Sequence, residues 1–203
     1  FIHRITVAGF SSRNEASSSP AKMAAKKAET PEQLAGELIK ASDSSPLEVT
    51  SSDFTADQGI PFEHSAFGEN VSPQLAWSNA PKGTKSFAIM MEDPDATQPK
   101  PFVHWLAYNI PADMTSLRAG LSTPPRLVEP KDMLQGANST GGTGYFGPKP
   151  PDEITHHYHF QVFALDTKLD LPPAADREAV LEAMKDHVLA VGNLVGVFVK
   201  PAS

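Results

Sequence analysis

Two stretches of the chain concentrate side chains able to do acid–base or ligand chemistry. Residues 93–104 read DPDATQPKPFVH, with two carboxylates astride a proline and a histidine at the end. Residues 144–159 read GYFGPKPPDEITHHYH and close on three histidines within four positions. Imidazole donates one or two hydrogen bonds and can carry charge near neutral pH. A neighbouring aspartate fixes its tautomer and favours the charged form. Backbone amides around Gly147 can add donors, whereas the prolines have none. Such a set suits a small oxyanion, phosphate or carboxylate, and the aspartates suit the ammonium end of a zwitterion. The same residues admit three other readings. Asp and His in a pocket serve as general base and acid in hydrolases. Two histidines and an aspartate form an open zinc site. Asp-Pro-Asp is also a common turn in which the carboxylates bond local backbone, and a histidine opening a strand is often a satisfied structural group.

Side-chain parity sorts these residues. In an extended chain, residues i and i+2 share a face. From His156 onward, His156, Tyr158 and Phe160 take one side, and His157, His159 and Gln161 the other. Asp93 and Asp95 share a side if the chain is extended across Pro94. His104 opens another strand, with Leu106 and Tyr108 on its face. Strand ends beside ordered loops are where binding sites tend to sit.

The elements that must position these groups are mostly strands. LEVTSSDF, KSFAIMMED, VHWLAYNI and YHFQVFALD are short apolar or alternating runs separated by Pro, Gly, Asn and Asp. The chain closes on NLVGVFVK, a final buried strand. Nineteen prolines without a repeat fit a fold with many ordered loops. A short helix is expected after residue 29, with Thr30 as cap, Pro31 at its first position, Gln33 completing a capping box, and Leu34, Ala35, Leu38 and Ile39 as its stripe. A late helix is expected after Asp176, with Val180, Leu181, Met184 and Val188 on one face. Met90, Met91, Trp77 and Trp105 are expected in the core, and His187 at the surface. The organisation read from this pattern is a flexible or vector-derived tail over residues 1–29, a short helix and linker over 30–46, and one domain over 47–203. A transit-peptide remnant is the competing reading of the tail.

Composition narrows the function. The chain has 203 residues, 40 % hydrophobic and 20 % charged, a globular balance. It has no cysteine, which excludes disulfides, thiolate metal sites and cysteine nucleophiles. That fits a cytoplasmic location, with organelle import if the tail is a transit remnant. Its apolar runs fall short of the roughly 20 residues that span a bilayer. Residues 1–28 carry a net charge of +4 and the remainder −11. So acidic a body is ill suited to nucleic acid, whose binding rests on neutralising phosphates. A nucleophile elbow and a GxxxxGK phosphate loop are both missing, which weighs against an enzyme and leaves a hydrolase acting on a phosphorylated or ester substrate as the alternative. The zinc reading lacks the short ligand spacings of dedicated zinc proteins. No cofactor is expected.

Six motifs in order resemble the phosphatidylethanolamine-binding protein family, bacterial-type branch: ENVSPQLAW (69–77), MEDPDA (91–96), FVHWLAYNIP (102–111), GTGYFGPKPP (142–151), HHYHFQVFALD (156–166), and the late helix leading into NLVGVFV (193–199). The resemblance covers about residues 47–200. It implies a mainly β (α+β) fold with a large central sheet, a smaller sheet and a few peripheral helices. It also implies a non-catalytic anion pocket for phospholipid headgroups or phosphorylated ligands, formed by Asp93, Asp95, His104, Gly147, Pro148, His156 and Tyr158. Regulation of a kinase or protease partner and homodimerisation come with the resemblance as expectations. One position departs from the family pattern: His157 stands where arginine is usual. Arginine is always charged and offers a planar fork, so His157 is expected to be a weaker, pH-dependent brace. The first 46 residues have no counterpart in the motif set.

Overall fold

The run SFAIMMED (β3, Ser86–Asp93) is buried along all eight residues. A strand apolar on both faces belongs in the middle of a covered sheet. In the computed structural model, which describes residues 33–202 apart from Ser44 and Lys100, β3 pairs antiparallel with β4 (Phe102–Pro111) on one side and β7 (His156–Leu165) on the other. The two-residue β6 (Leu134–Gln135) and the long β8 (Val188–Phe198) complete a five-stranded sheet in the order β6-β4-β3-β7-β8. A smaller antiparallel sheet, in the order β1-β2-β5, is built from β1 (Glu48–Thr50), β2 (Leu75–Ser78) and β5 (Ser116–Leu117). The fold is therefore mainly β with few helices, as expected.

The large sheet has apolar residues on both faces. One face packs on the small sheet through Trp77, Phe87, Met91, Trp105 and Phe160. The other carries Met90, Leu106, Phe163, Val180 and Met184. Met90 and Met91 thus point to opposite cores, and both tryptophans are buried. Val180 and Met184 come from α2 (Arg177–Met184), whose N-cap Asp176 accepts the Ala179 amide at 2.9 Å as expected. Val188, expected on that helix, is instead the first residue of β8. Lys185 leaves helical geometry, and Asp186 takes a φ of 64°, which turns the chain into the strand.

The first described helix, α1 (Ala35–Leu38), is a single turn. Thr30 and Pro31, its expected cap and first residue, lie outside the described residues. Glu37 accepts the Leu34 amide at 3.0 Å, and the next two amides are capped from the sheet. Glu92 on β3 accepts the Ala35 amide at 2.7 Å, and Gln161 on β7 accepts the Gly36 amide at 2.7 Å. His187 is half-exposed and bonds the Asp166 carboxylate at 2.8 Å.

Candidate functional site

Asp93 ends β3, His104 lies near the start of β4, and His156 opens β7. Because β3 runs between the other two strands, all three residues fall at the same end of the sheet. Parity alone puts His104 with Leu106 and Tyr108, on the face away from Asp93. The structure corrects this. Met91 pairs with Trp105 and Glu92 with Val103, so His104 is an extra residue on β4 at that step. Such a bulge locally breaks alternation and re-aims a side chain. The His104 ring consequently meets the Tyr158 ring edge-on at 5.1 Å, on the inner face, while Leu106 and Tyr108 pack in the outer core.

Asp93 is both a turn residue and a site residue. Its Oδ1 accepts the Asp95 amide at 2.8 Å and the Ala96 amide at 3.2 Å, closing the turn. Its Oδ2 accepts a hydrogen bond from His156 Nδ1 at 2.8 Å. That carboxylate oxygen can only accept, so Nδ1 carries the proton and Nε2 is the ring's remaining polar atom. His104 Nδ1 donates to the Phe146 carbonyl at 2.7 Å, which leaves its Nε2 4.0 Å from Asp93 Oδ2. The three side chains border a cavity of about 220 Å³, walled by Phe102, Phe146, Pro150 and Pro151 and by Thr97 and Gln98, with the exposed Lys149 on its lining.

Burial sets the electrostatics. It raises the Asp93 carboxyl above the usual aspartate range, against the opposing pull of the His156 hydrogen bond and charge. It lowers His104 to about 4, although the carbonyls of Phe146 and Gly147 favour its proton. His104 is therefore neutral at neutral pH, and the expectation of a cationic imidazole does not extend to it. Burial also raises the Tyr158 hydroxyl, with the charge of Asp93 adding to the effect. Tyr158 is fully buried, packs its ring against the two imidazoles, and lies off the cavity lining.

A stability prediction follows from His104. In the unfolded chain its imidazole takes a proton near pH 6.5; in the folded chain, only near 4. Between those values the unfolded state binds more protons, so stability falls as pH falls. From pH 7 to 4.5 the loss due to His104 is about 2–3 kcal/mol. Asp93, raised by burial, works in the opposite direction as pH approaches its own range. Urea unfolding of wild type and His104→Gln at both pH values checks this. The variant should lose about 2 kcal/mol less across that window; equal losses overturn the assignment.

The other expected site residues stand elsewhere. Asp95 is not on the cavity lining. Its Oδ2 accepts both the His157 amide, at 2.8 Å, and His157 Nδ1, at 2.7 Å. Partial burial pushes the Asp95 carboxyl up, but these His157 bonds outweigh it, and the carboxyl sits below its ordinary value. The Gly147 amide, expected to be a donor for a ligand, is spent on Asn70 Oδ1 at 2.7 Å, and the Pro148 carbonyl accepts the Ala66 amide at 2.9 Å. These two residues hold the loop. Phe102, Phe146, Lys149, Thr97 and Gln98 on the lining were not anticipated. All fall within the two stretches quoted at the outset, and only their chain neighbourhood could have flagged them. Among the described residues no group of His, Asp or Glu side chains is arranged to hold a metal ion.

Comparison with known proteins places this geometry. The family model described as phosphatidylethanolamine-binding protein matches residues 50–199. A UPF0098 protein of Methanothermobacter thermautotrophicus is 45 % identical over 143 residues, covering 70 % of this chain and 92 % of the relative. UPF0098 protein YbhB of Escherichia coli is 38 % identical over 132 residues, covering 64 % and 83 %. Among solved structures, E. coli YbcL superposes with a TM-score of 0.71 at 30 % identity, over 77 % of this chain and 100 % of that one. A homologue from Chlamydia trachomatis gives 0.69 at 32 % identity, over 78 % and 100 %.

Proposed function

The chain belongs to the phosphatidylethanolamine-binding protein family, and from that premise we propose that it is a non-catalytic binding protein whose cavity takes a phosphate-like group. The group belongs to a phospholipid headgroup or to another phosphorylated ligand. The observation that carries this reading is the Asp93–His156 hydrogen bond at the cavity wall. The carboxylate fixes the ring through Nδ1, and a protonated Nε2 is a charge-assisted donor for an anion. Lys149 adds a permanent positive charge at the lining. Neutral His104 contributes shape, and its Nε2 can only accept, from a phosphate hydroxyl or an ammonium group.

The test is a titration of the protein with inorganic phosphate and with phosphoethanolamine, followed through the histidine ring signals by NMR. The His156 ring signals are expected to shift on binding, and the His104 signals to move without protonation. His156→Ala abolishes the response. If no histidine ring signal moves at millimolar ligand, the reading fails. Turnover of phosphoester or ester substrates that is lost in Asp93→Asn would instead make the same dyad a general base, and the protein a hydrolase.

A further inference from the structure

A cavity for anions has no evident use for a carboxylate, and this one has Asp93 on its lining, 3 % exposed. One oxygen of that carboxylate is committed: Oδ1 closes the turn through the Asp95 and Ala96 amides. Oδ2 takes a hydrogen bond from His156 Nδ1 at 2.8 Å and, like any carboxylate oxygen, has a second lone pair to offer. Another acceptor stands 4.0 Å from it. This is Nε2 of His104, also on the lining, whose ring proton sits on Nδ1 and is given to the Phe146 carbonyl at 2.7 Å. Burial keeps that ring neutral at neutral pH, so Nε2 carries a lone pair.

The donors share the same lining. His156, when doubly protonated, offers Nε2–H, and Lys149 brings an ammonium on an exposed side chain. A fully ionised oxyanion satisfies only these two. Against Asp93 it sets one negative oxygen before another, and it leaves the lone pair of His104, a residue 3 % exposed, without a hydrogen. A ligand that carries acceptor oxygens together with a hydroxyl hydrogen meets both kinds of group.

Building on the anion reading above, we propose that the cavity selects phosphate groups that keep a P–O–H hydrogen, and that Asp93 and His104 determine this specificity by accepting it. The ligand class is inorganic phosphate and phosphomonoesters. Phosphodiesters and sulfate have no such hydrogen at neutral pH and are disfavoured. A monoester loses its last proton at about pH 6, and the cavity holds it as the monoanion. The ligand's own hydrogen is what lets a buried carboxylate border an anion site. An intact diester headgroup and a phosphomonoester are thereby told apart, although both carry phosphate.

The experiment compares ligands of matched charge on the full chain, with dissociation constants read from the His156 ring signals by NMR. At about pH 7.5 phosphate and sulfate are both mainly dianions, and only phosphate keeps a hydrogen. At about pH 5.5 methyl phosphate and dimethyl phosphate are both mainly monoanions, and only the monoester keeps one. Wild type is expected to bind sulfate and dimethyl phosphate at least about tenfold more weakly than their partners, the usual penalty for leaving buried polar groups unpaired. In Asp93→Asn and His104→Gln an amide can turn an N–H toward the ligand, so sulfate gains and the gap closes to about twofold. Sulfate as tight as phosphate, or dimethyl phosphate as tight as methyl phosphate, overturns the proposal and leaves the anion reading standing. So does glycerophosphoethanolamine binding as tightly as phosphoethanolamine, which would give the two acceptors to the ligand's ammonium. A gap that survives in both variants removes Asp93 and His104 from the role. A wild type that responds to none of these ligands fails the anion reading, and the proposal with it. The wild-type comparison decides even where a variant does not fold.

Discussion

Gly147→Ala destabilises the protein by about 3 kcal/mol and removes its response to phosphate. The cause is space. A Cβ at this position would lie 2.1 Å from the His64 carbonyl oxygen, 2.9 Å from the Ser65 carbonyl carbon and 3.0 Å from the Ala66 nitrogen. All three are backbone atoms, so no side chain can swing aside. The loops involved are also sewn together. Tyr145 donates to the His64 carbonyl at 2.7 Å, the Ala66 amide bonds the Pro148 carbonyl, and the Gly147 amide bonds Asn70. Parting them shifts Phe146, whose amide bonds the His104 carbonyl and whose carbonyl holds the His104 ring. Lys149 and Pro150, also on the cavity lining, move with it. Gly59→Ala is the control, because a Cβ there meets nothing within 4 Å. Urea unfolding and the phosphate titration, run on both variants, check the prediction. A Gly147→Ala protein within about 0.5 kcal/mol of wild type would show that the loops yield cheaply.

Glu92→Ala costs about 3–5 kcal/mol, the usual consequence of removing one partner of a buried ion pair. Glu92 is fully buried. Its Oε1 takes Arg177 Nε at 2.6 Å, and its Oε2 takes the Ala35 amide and Gln161 Nε2, each at 2.7 Å. Truncation leaves a mostly buried guanidinium without its counter-charge and two further donors without an acceptor. Glu92→Gln keeps an acceptor in place and should cost clearly less. Unfolding midpoints in urea, at unchanged m-value, measure both. A Glu92→Ala loss below about 1 kcal/mol would mean that water or a neighbour takes over the carboxylate's role.

The contrast between Glu92 and Asp93 shows what the sequence could and could not carry. Strand identity was legible because β3 and β4 are short continuous apolar runs bounded by turn residues, and the inward set His156, Tyr158 and Phe160 followed from the alternation at the start of β7. Asp93 was singled out by its place in MEDPDA within the ordered series of family motifs, because an Asp-Pro-Asp turn alone is common. Glu92, one residue earlier, was not. Its partners are 57, 69 and 85 positions away in the chain, and nothing local announces them. The facing of His104 was misread because a bulge adds a residue without leaving a sequence mark. Asp95 was drawn away from the cavity by His157, a neighbour only in space. The two-residue strands β5 and β6 are too short for any periodicity to reveal.

At the edge of the large sheet, the carbonyls of Val188, Leu189 and Val191 on β8 take the amides of Ser42, Asp43 and Leu47, and this has a consequence for how the chain is made. Synthesis is vectorial, and β8, a strand without charge, emerges after every other described strand. The segment that shields it precedes every described strand: the contact between Gly36 and Gln161 already spans 125 positions, and those to β8 span more. The guard is therefore complete and waiting before the edge it protects exists. A nascent chain never has to present β8 to its neighbours on a polysome without its own cover already within reach.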